Sequence, residues 1–180
     1  MRLILTLLAA LALAAPAAAR PLDKAEAASL GTALSAYDAA LTGHDSAALV
    51  AAIPPRLVAA IAAQSGMDVA TLTSTMVTQS DAMLAETTFQ DLGIDISAAD
   101  ARKARLPDGT GIVWALVPVS FVMDRNGKRT AFRQTILALN DGGAWYLMRI
   151  EQPAQRDLAA TVYPFLATVT IPPGEATPID

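Results

Sequence analysis

The chain has 180 residues, with 17 acidic and 13 basic side chains, one histidine and no cysteine. That length suits one domain. The missing cysteines exclude disulfides, cysteine nucleophiles, thiolate metal sites and c-type haem attachment. One histidine excludes a multi-histidine metal site, and a net charge of −4 argues against a nucleic-acid surface. With 53% hydrophobic and 17% charged residues, the chain has enough apolar material for a packed core.

The first nineteen residues read as an address. Met1-Arg2 is a short positive start, and Leu3 to Ala15 is apolar apart from Thr6. Pro16 breaks the run, and Ala17-Ala18-Ala19 places small residues where a signal peptidase cuts. The run is shorter than the roughly 20 residues that span a bilayer. The expectation is a signal peptide over 1–19, cleavage before Arg20, and a periplasmic or secreted chain that does not span the membrane after cleavage. Three lysines, Lys24, Lys103 and Lys128, against many arginines and alanines fit a GC-rich bacterial host.

Leu30, Leu34, Tyr37 and Leu41 recur at helical spacing, which predicts a helix over about 22–42 that Gly43 ends. Asp45 or Ser46 caps a short second helix with Leu49 and Ile53. Pro54-Pro55 opens a third, with Leu57 and Ile61, which Ser65-Gly66 closes. Asp68 caps a fourth, with Val69, Leu72, Met76 and Met83.

The pattern becomes strand-like near Thr87. Phe89, Asp91, Gly93 and Asp95 alternate with Gln90, Leu92, Ile94 and Ile96. A charged strand over 99–106 follows, then the turn Pro107-Asp108-Gly109 and a long β-rich run from Gly111 to Met123. Asn126-Gly127 marks a hairpin, because this pair tolerates positive φ. Strands over 129–140 and 144–151 complete a meander, with Gly142-Gly143 between them. Pro118 has no N–H to give a ladder, so a bulge or an edge is expected there. A last helix over 155–166, interrupted at Pro164, precedes a flexible Pro-containing tail, 167–180. Helices segregated ahead of an antiparallel sheet make the fold class α+β, with one domain over 20–166.

The segment Tyr37-Asp38-Ala39-Ala40-Leu41-Thr42-Gly43-His44-Asp45, the long strand 111–123 and the segment 137–147 around Asn140-Asp141-Gly142-Gly143 stand in an order that resembles the NTF2-like superfamily, also called the cystatin-like or SnoaL-like cone. The resemblance implies N-terminal helices on a curved antiparallel meander sheet, with a pocket between helix and sheet. That fold hosts lyases, isomerases and non-catalytic binding modules alike. It also implies that Tyr37 stands where ketosteroid isomerases of the family keep an oxyanion-donating tyrosine.

Tyr37, Trp114 and Arg133 are the ligand-binding candidates; Arg133 lies mid-strand, where it pairs with a surface acid or binds a carboxylate ligand. Asp91, Asp95 and His44 are the acid–base candidates of a cofactor-free lyase or isomerase acting on a small apolar ligand. The apolar side of the first strand is the opposite one, so both aspartates are expected to face water. Asp124-Arg125-Asn126-Gly127 lacks the downstream glutamate of a calcium loop, and Gly109-Thr110-Gly111 lacks a dinucleotide fingerprint. The basic groups Arg102, Lys103, Arg105 and Arg125, Lys128, Arg129 read as charges on sheet edges. No catalytic or metal constellation converges, so the expectation is a binding module for a small apolar or carboxylate ligand or a protein, with no cofactor and no metal. Strand 111–123 is apolar on both faces, which asks for cover on both; this points to a homodimer through the sheet, with cover of part of the second face by the segment Leu158 to Leu166 as the competing explanation.

Overall fold

Asp23 starts the first helix by a capping box: its carboxylate accepts from the Glu26 N–H, and the Glu26 carboxylate accepts from the Asp23 N–H. The computed structural model describes residues 19–179, so the expected signal peptide and its apolar run lie outside the described residues. Helix α1 spans Lys24–Thr42, α2 Ser46–Ala51, α3 Pro55–Ser65 and α4 Val69–Leu84. Asp45 and Asp68 cap α2 and α4 as the sequence predicts, each accepting from the N–H three residues on. Pro54-Pro55 opens α3 with a proline at its first position, where no N–H is missed.

Seven strands follow one antiparallel scheme: β1 Arg20–Pro21, β2 Thr87–Ile94, β3 Asp100–Arg105, β4 Gly111–Arg125, β5 Lys128–Asp141, β6 Ala144–Arg149 and β7 Glu175–Ile179. The sheet runs β1-β3-β4-β5-β6, with β2 also on β4 and β7 also on β5. Helix α5, Pro153–Val162, and a 3-10 turn, Pro164–Thr168, lie between β6 and β7. Helices that precede an open, curved antiparallel sheet give an α+β fold. No helix among the described residues is long and apolar enough to cross a membrane.

Both tight hairpins form where the sequence places them. Asn126 and Gly127 have φ of 55° and 77°, and Gly142 and Gly143 have 66° and 89°. Two left-handed residues in a two-residue loop match the twist of the flanking strands. The register Arg125↔Lys128 and Asp141↔Ala144 follows directly.

Pro118 departs from expectation. The β4–β5 register runs through Pro118↔Thr135 without a shift. On the other side of β4, β2 pairs as far as Ile94↔Val119 and β3 begins at Ala101↔Ala115. The proline therefore sits in the gap between two partner strands, where its carbonyl accepts from the Asp95 N–H at 3.1 Å. A strand residue turns its N–H and C=O to the same side, so the missing donor falls where no ladder needs it. The bulge lies in β2 instead, between Gln90 and Gly93, where Asp91 has a φ of 55°.

The last segment also departs. The flexible tail expected over 167–180 instead completes the 3-10 turn and adds β7 to β5, with Arg133↔Glu175 and Arg129↔Ile179 in register.

Both sheet faces are covered. On one, α1 lays Leu30 and Leu34 over Ala115, Val117, Val119, Ile136, Ala138, Trp145 and Leu147. On the opposite face, α5 and the 3-10 turn bring Ala159, Tyr163 and Leu166 onto Ile112, Trp114, Leu137, Leu139 and Met148, with Leu57 of α3 joining them. Val58, Ala62 and Leu72 form a smaller cluster among the helices. The exposed backbone of edge strand β6 is met by α2, whose following Ala52 carbonyl accepts from the Leu147 N–H at 2.8 Å.

One polar node ties four of these parts together. The Arg56 guanidinium of α3 donates to Asp141 at 2.9 Å, to Asp108 at 2.8 Å and to Thr110 at 3.2 Å, and the Tyr163 hydroxyl donates to the same Asp141 oxygen at 3.1 Å.

The N-terminal strand is held by a forked ion pair, Arg20 to Glu26 at 2.7 and 2.6 Å. Arg20 first, then the Asp23 N–H, hold the Glu26 carboxyl down to about 2. A depressed carboxyl stabilises the fold above its unfolded pKa of about 4.3, and that contribution is lost as pH falls through the folded value. The stability of the wild type should therefore fall between about pH 4.5 and 2 more steeply than that of Glu26→Gln, read by urea unfolding across that window. Parallel slopes would show that the pair contributes nothing.

Candidate functional site

The pocket implied between α1 and the sheet is filled. Leu30 and Leu34 reach the sheet with 0% and 1% exposure, and Tyr37 is half-buried against the same cluster. Burial is the main cause that pushes the Tyr37 hydroxyl above its ordinary value, with the Arg149 charge opposing it. The open space lies on the opposite face.

That space is a groove of about 910 Å³, lined by β3, by the start of β4 and by the chain from Phe165 to Thr170. Its apolar lining comprises Ile112, Trp114, Leu116, Phe165 and Val169, and Thr168 and Thr170 add hydroxyls. Trp114 and Phe165 stack with centroids 5.3 Å apart. Arg102 stands over the Trp114 ring, its guanidinium carbon 5.4 Å from the centroid. Lys103 and Arg105 also line the groove, and no acidic residue does.

Local sequence explains the arrangement. The turn Pro107-Asp108-Gly109 closes on Leu106 and Thr110, with the Leu106 N–H donating to the Thr110 carbonyl at 2.8 Å. Thr110 holds Asp108 in place, its N–H donating to the carboxylate at 2.9 Å. These contacts to Thr110 first, then Arg56, hold Asp108 down to about 2. A hairpin centred there must set Arg102 opposite Trp114 and Ala104 opposite Ile112. Counting outward from the turn finds the Arg102–Trp114 pair in the sequence. Reading the three basic residues only as edge charges misses it.

The other candidate residues lie elsewhere. Tyr37, Trp114 and Arg133 do not share a pocket: Tyr37 is on α1, half-buried against the sheet, Trp114 is buried at the floor of the groove, and Arg133 is exposed on β5. Arg133 faces Glu175 in register, yet among the described residues it makes no ion pair. It shares with Asp95 the rim of a shallow depression of about 390 Å³ beside Pro118. Asp91 and Asp95 are exposed, but the bulge at Asp91 breaks the alternation expected of them. Asp95 caps the 3-10 turn Ile96–Ala98, accepting from the Ser97 hydroxyl at 2.6 Å and the Ala98 N–H at 3.2 Å. The Ser97 bond is the main cause that lowers its pKa. His44 is exposed in the turn between α1 and α2, at a φ of 55°. Among the described residues no three His, Cys, Asp or Glu side chains are grouped to hold a metal.

A second cleft, of about 460 Å³, opens where β6 leaves β5 and β7 joins it, lined by Phe132, Gln134, Arg149, Glu151, Arg156 and the chain 171–176. Within it Arg149 pairs with Glu151, which also accepts from Gln134 at 3.3 Å; Arg156 lies 3.7 Å from Asp157, outside the lining, and Glu175 makes no ion pair among the described residues.

No family model, curated protein or solved structure matches this chain.

Proposed function

We propose that this protein is an exported, non-catalytic binding module of NTF2-like architecture that holds a small ligand with an apolar body in the Trp114 groove. The observation that carries the reading is the groove's composition: a space of about 910 Å³ lined by half-buried Leu116, Phe165 and Val169 over buried Ile112 and Trp114, at which only a few polar groups converge. The acid–base alternative has no such support, because Asp91, Asp95 and His44 are exposed and none of them hydrogen-bonds to Tyr37. Export is supported by the short apolar leader and by the chain that follows it, since Arg20 and Pro21 already pair with β3. The chain's own C-terminal segment covers part of the second face of the two-sided strand, so a homodimer through the sheet would have to bury what that segment leaves.

The test uses protein recovered from the periplasm and shown by N-terminal sequencing to begin at Arg20. Titration with N-phenyl-1-naphthylamine, a neutral apolar fluorophore, is expected to quench tryptophan emission saturably at one site per chain. Trp114 and Trp145 are the two tryptophans, and Trp145 is buried under α1 with its indole N–H on Ser29 at 2.9 Å. Trp114→Phe should therefore remove most of the quenching. Absence of binding, or equal quenching in Trp114→Phe, overturns the groove as the site.

A further inference from the structure

We propose that the groove selects anions: its ligand is an amphipathic carboxylate or sulfonate whose apolar body lies on half-buried Leu116, Phe165 and Val169 beside Trp114 and whose charge is met by Arg102. This rests on the reading of the groove as the binding site and adds the class of ligand to it. Three observations support it.

The first is the sign of the lining. The charged side chain on the groove's own face of β3 is Arg102; Lys103 and Arg105 border the groove but alternate to the other face, opposite Val113 and Gly111, and no carboxylate lines it, although the chain as a whole carries net negative charge. A low-dielectric concavity bordered by one sign of charge concentrates ligands of the other sign.

The second is what each cation is already doing. Arg105 donates to the Gly109 carbonyl at 3.0 Å, and the Lys103 charge bears on Glu26 at the foot of α1. Arg102 has no such engagement among the described residues: it makes no ion pair, and its recorded neighbour is the Trp114 ring. A guanidinium stacked on an indole keeps its in-plane N–H fork free, which suits a planar, bidentate anion.

The third is register. Arg102 and Trp114 are cross-strand partners, so strand pairing fixes the distance between the cation and the apolar floor. Recognition built on paired strands is more rigid than recognition built on a loop.

A matched pair of probes separates charge from shape. 2-Naphthoate and 2-naphthamide have the same flat body, and only the first is an anion. In the full mature chain at low salt, naphthoate is expected to bind at least about tenfold more tightly than naphthamide, which corresponds to about 1.4 kcal/mol. Added salt should weaken naphthoate and leave naphthamide unchanged. Arg102 is exposed, so Arg102→Gln should fold normally, as its melting curve will show. It should bring naphthoate to within about twofold of naphthamide while the amide's affinity stays as it was. Arg102→Lys should recover part of the preference, having the charge without the fork. Equal binding of acid and amide by the wild type, or an unchanged preference in Arg102→Gln, overturns the anion assignment alone. Failure of both naphthyl probes and of the neutral fluorophore overturns the groove itself.

Discussion

Replacing Tyr163 by alanine is expected to cost about 3–5 kcal/mol, the range for removing a buried aromatic ring. That is a large share of the roughly 5–15 kcal/mol by which a domain is stable. The side chain has 0% exposure, and its ring meets Phe165 edge-on at 6.3 Å. The hydroxyl donates to Asp141, the carboxylate that Arg56 also holds. Tyr163→Phe keeps the ring and loses that one bond to a charged acceptor, for about 1.5–3 kcal/mol. Urea unfolding should show the two midpoints falling in that order with slopes unchanged. Burial first, then the Asp141 charge, raise the Tyr163 hydroxyl above its ordinary value. A raised pKa contributes stability below the unfolded value of about 10 and loses it as pH rises above that. Tyr163→Phe should therefore lose less stability than the wild type in alkali. A wild-type midpoint in Tyr163→Ala would show that the α5 cover contributes nothing to stability.

Ending the chain after Gln152 is expected to leave an associating or unfolded protein. The deletion removes α5, the 3-10 turn and β7 together. It uncovers Ile112, Trp114, Leu137, Leu139 and Met148, all now buried by that segment. A contiguous patch of that kind exceeds the few hundred Å² that soluble monomers tolerate. It also strips the outer partner from the lower half of β5, leaving a free strand edge open to pairing. Light scattering at micromolar concentration should give a monomer mass for the chain from Arg20 to Asp180 and larger species for the shortened one. A dimer mass for the intact chain would restore the homodimer that the two-sided strand suggested. Its contact would then have to lie outside the face that α5 covers.

The elements were legible in the sequence because each is fixed by local chemistry. Asp23, Asp45 and Asp68 end up as caps because a short carboxylate can reach N–H groups three residues ahead. Asn126-Gly127 and Gly142-Gly143 form their turns because few other residues accept positive φ twice in succession. The α+β order follows from where the helical period gives way to the strand period near Thr87. Alternation could show that β4 is apolar on both sides, but not whether a second copy or the chain's own C-terminal segment covers the second side. That depended on a C-terminal segment of modest hydrophobicity folding back, a contact between residues far apart in the chain, such as Tyr163 with Asp141. The bulge at Asp91 was equally hidden, since it arises where β2 must fit beside β4 and not from any preference of Asp91 itself. The site divides the same way. The hairpin turn at 107–109 already determines that Arg102 faces Trp114. Only the tertiary structure decided that Arg102 borders open space above a buried Trp114 while Tyr37 is half-buried against the other face, because a groove is what remains once α1, α5 and the 3-10 turn have taken their places on a curved sheet.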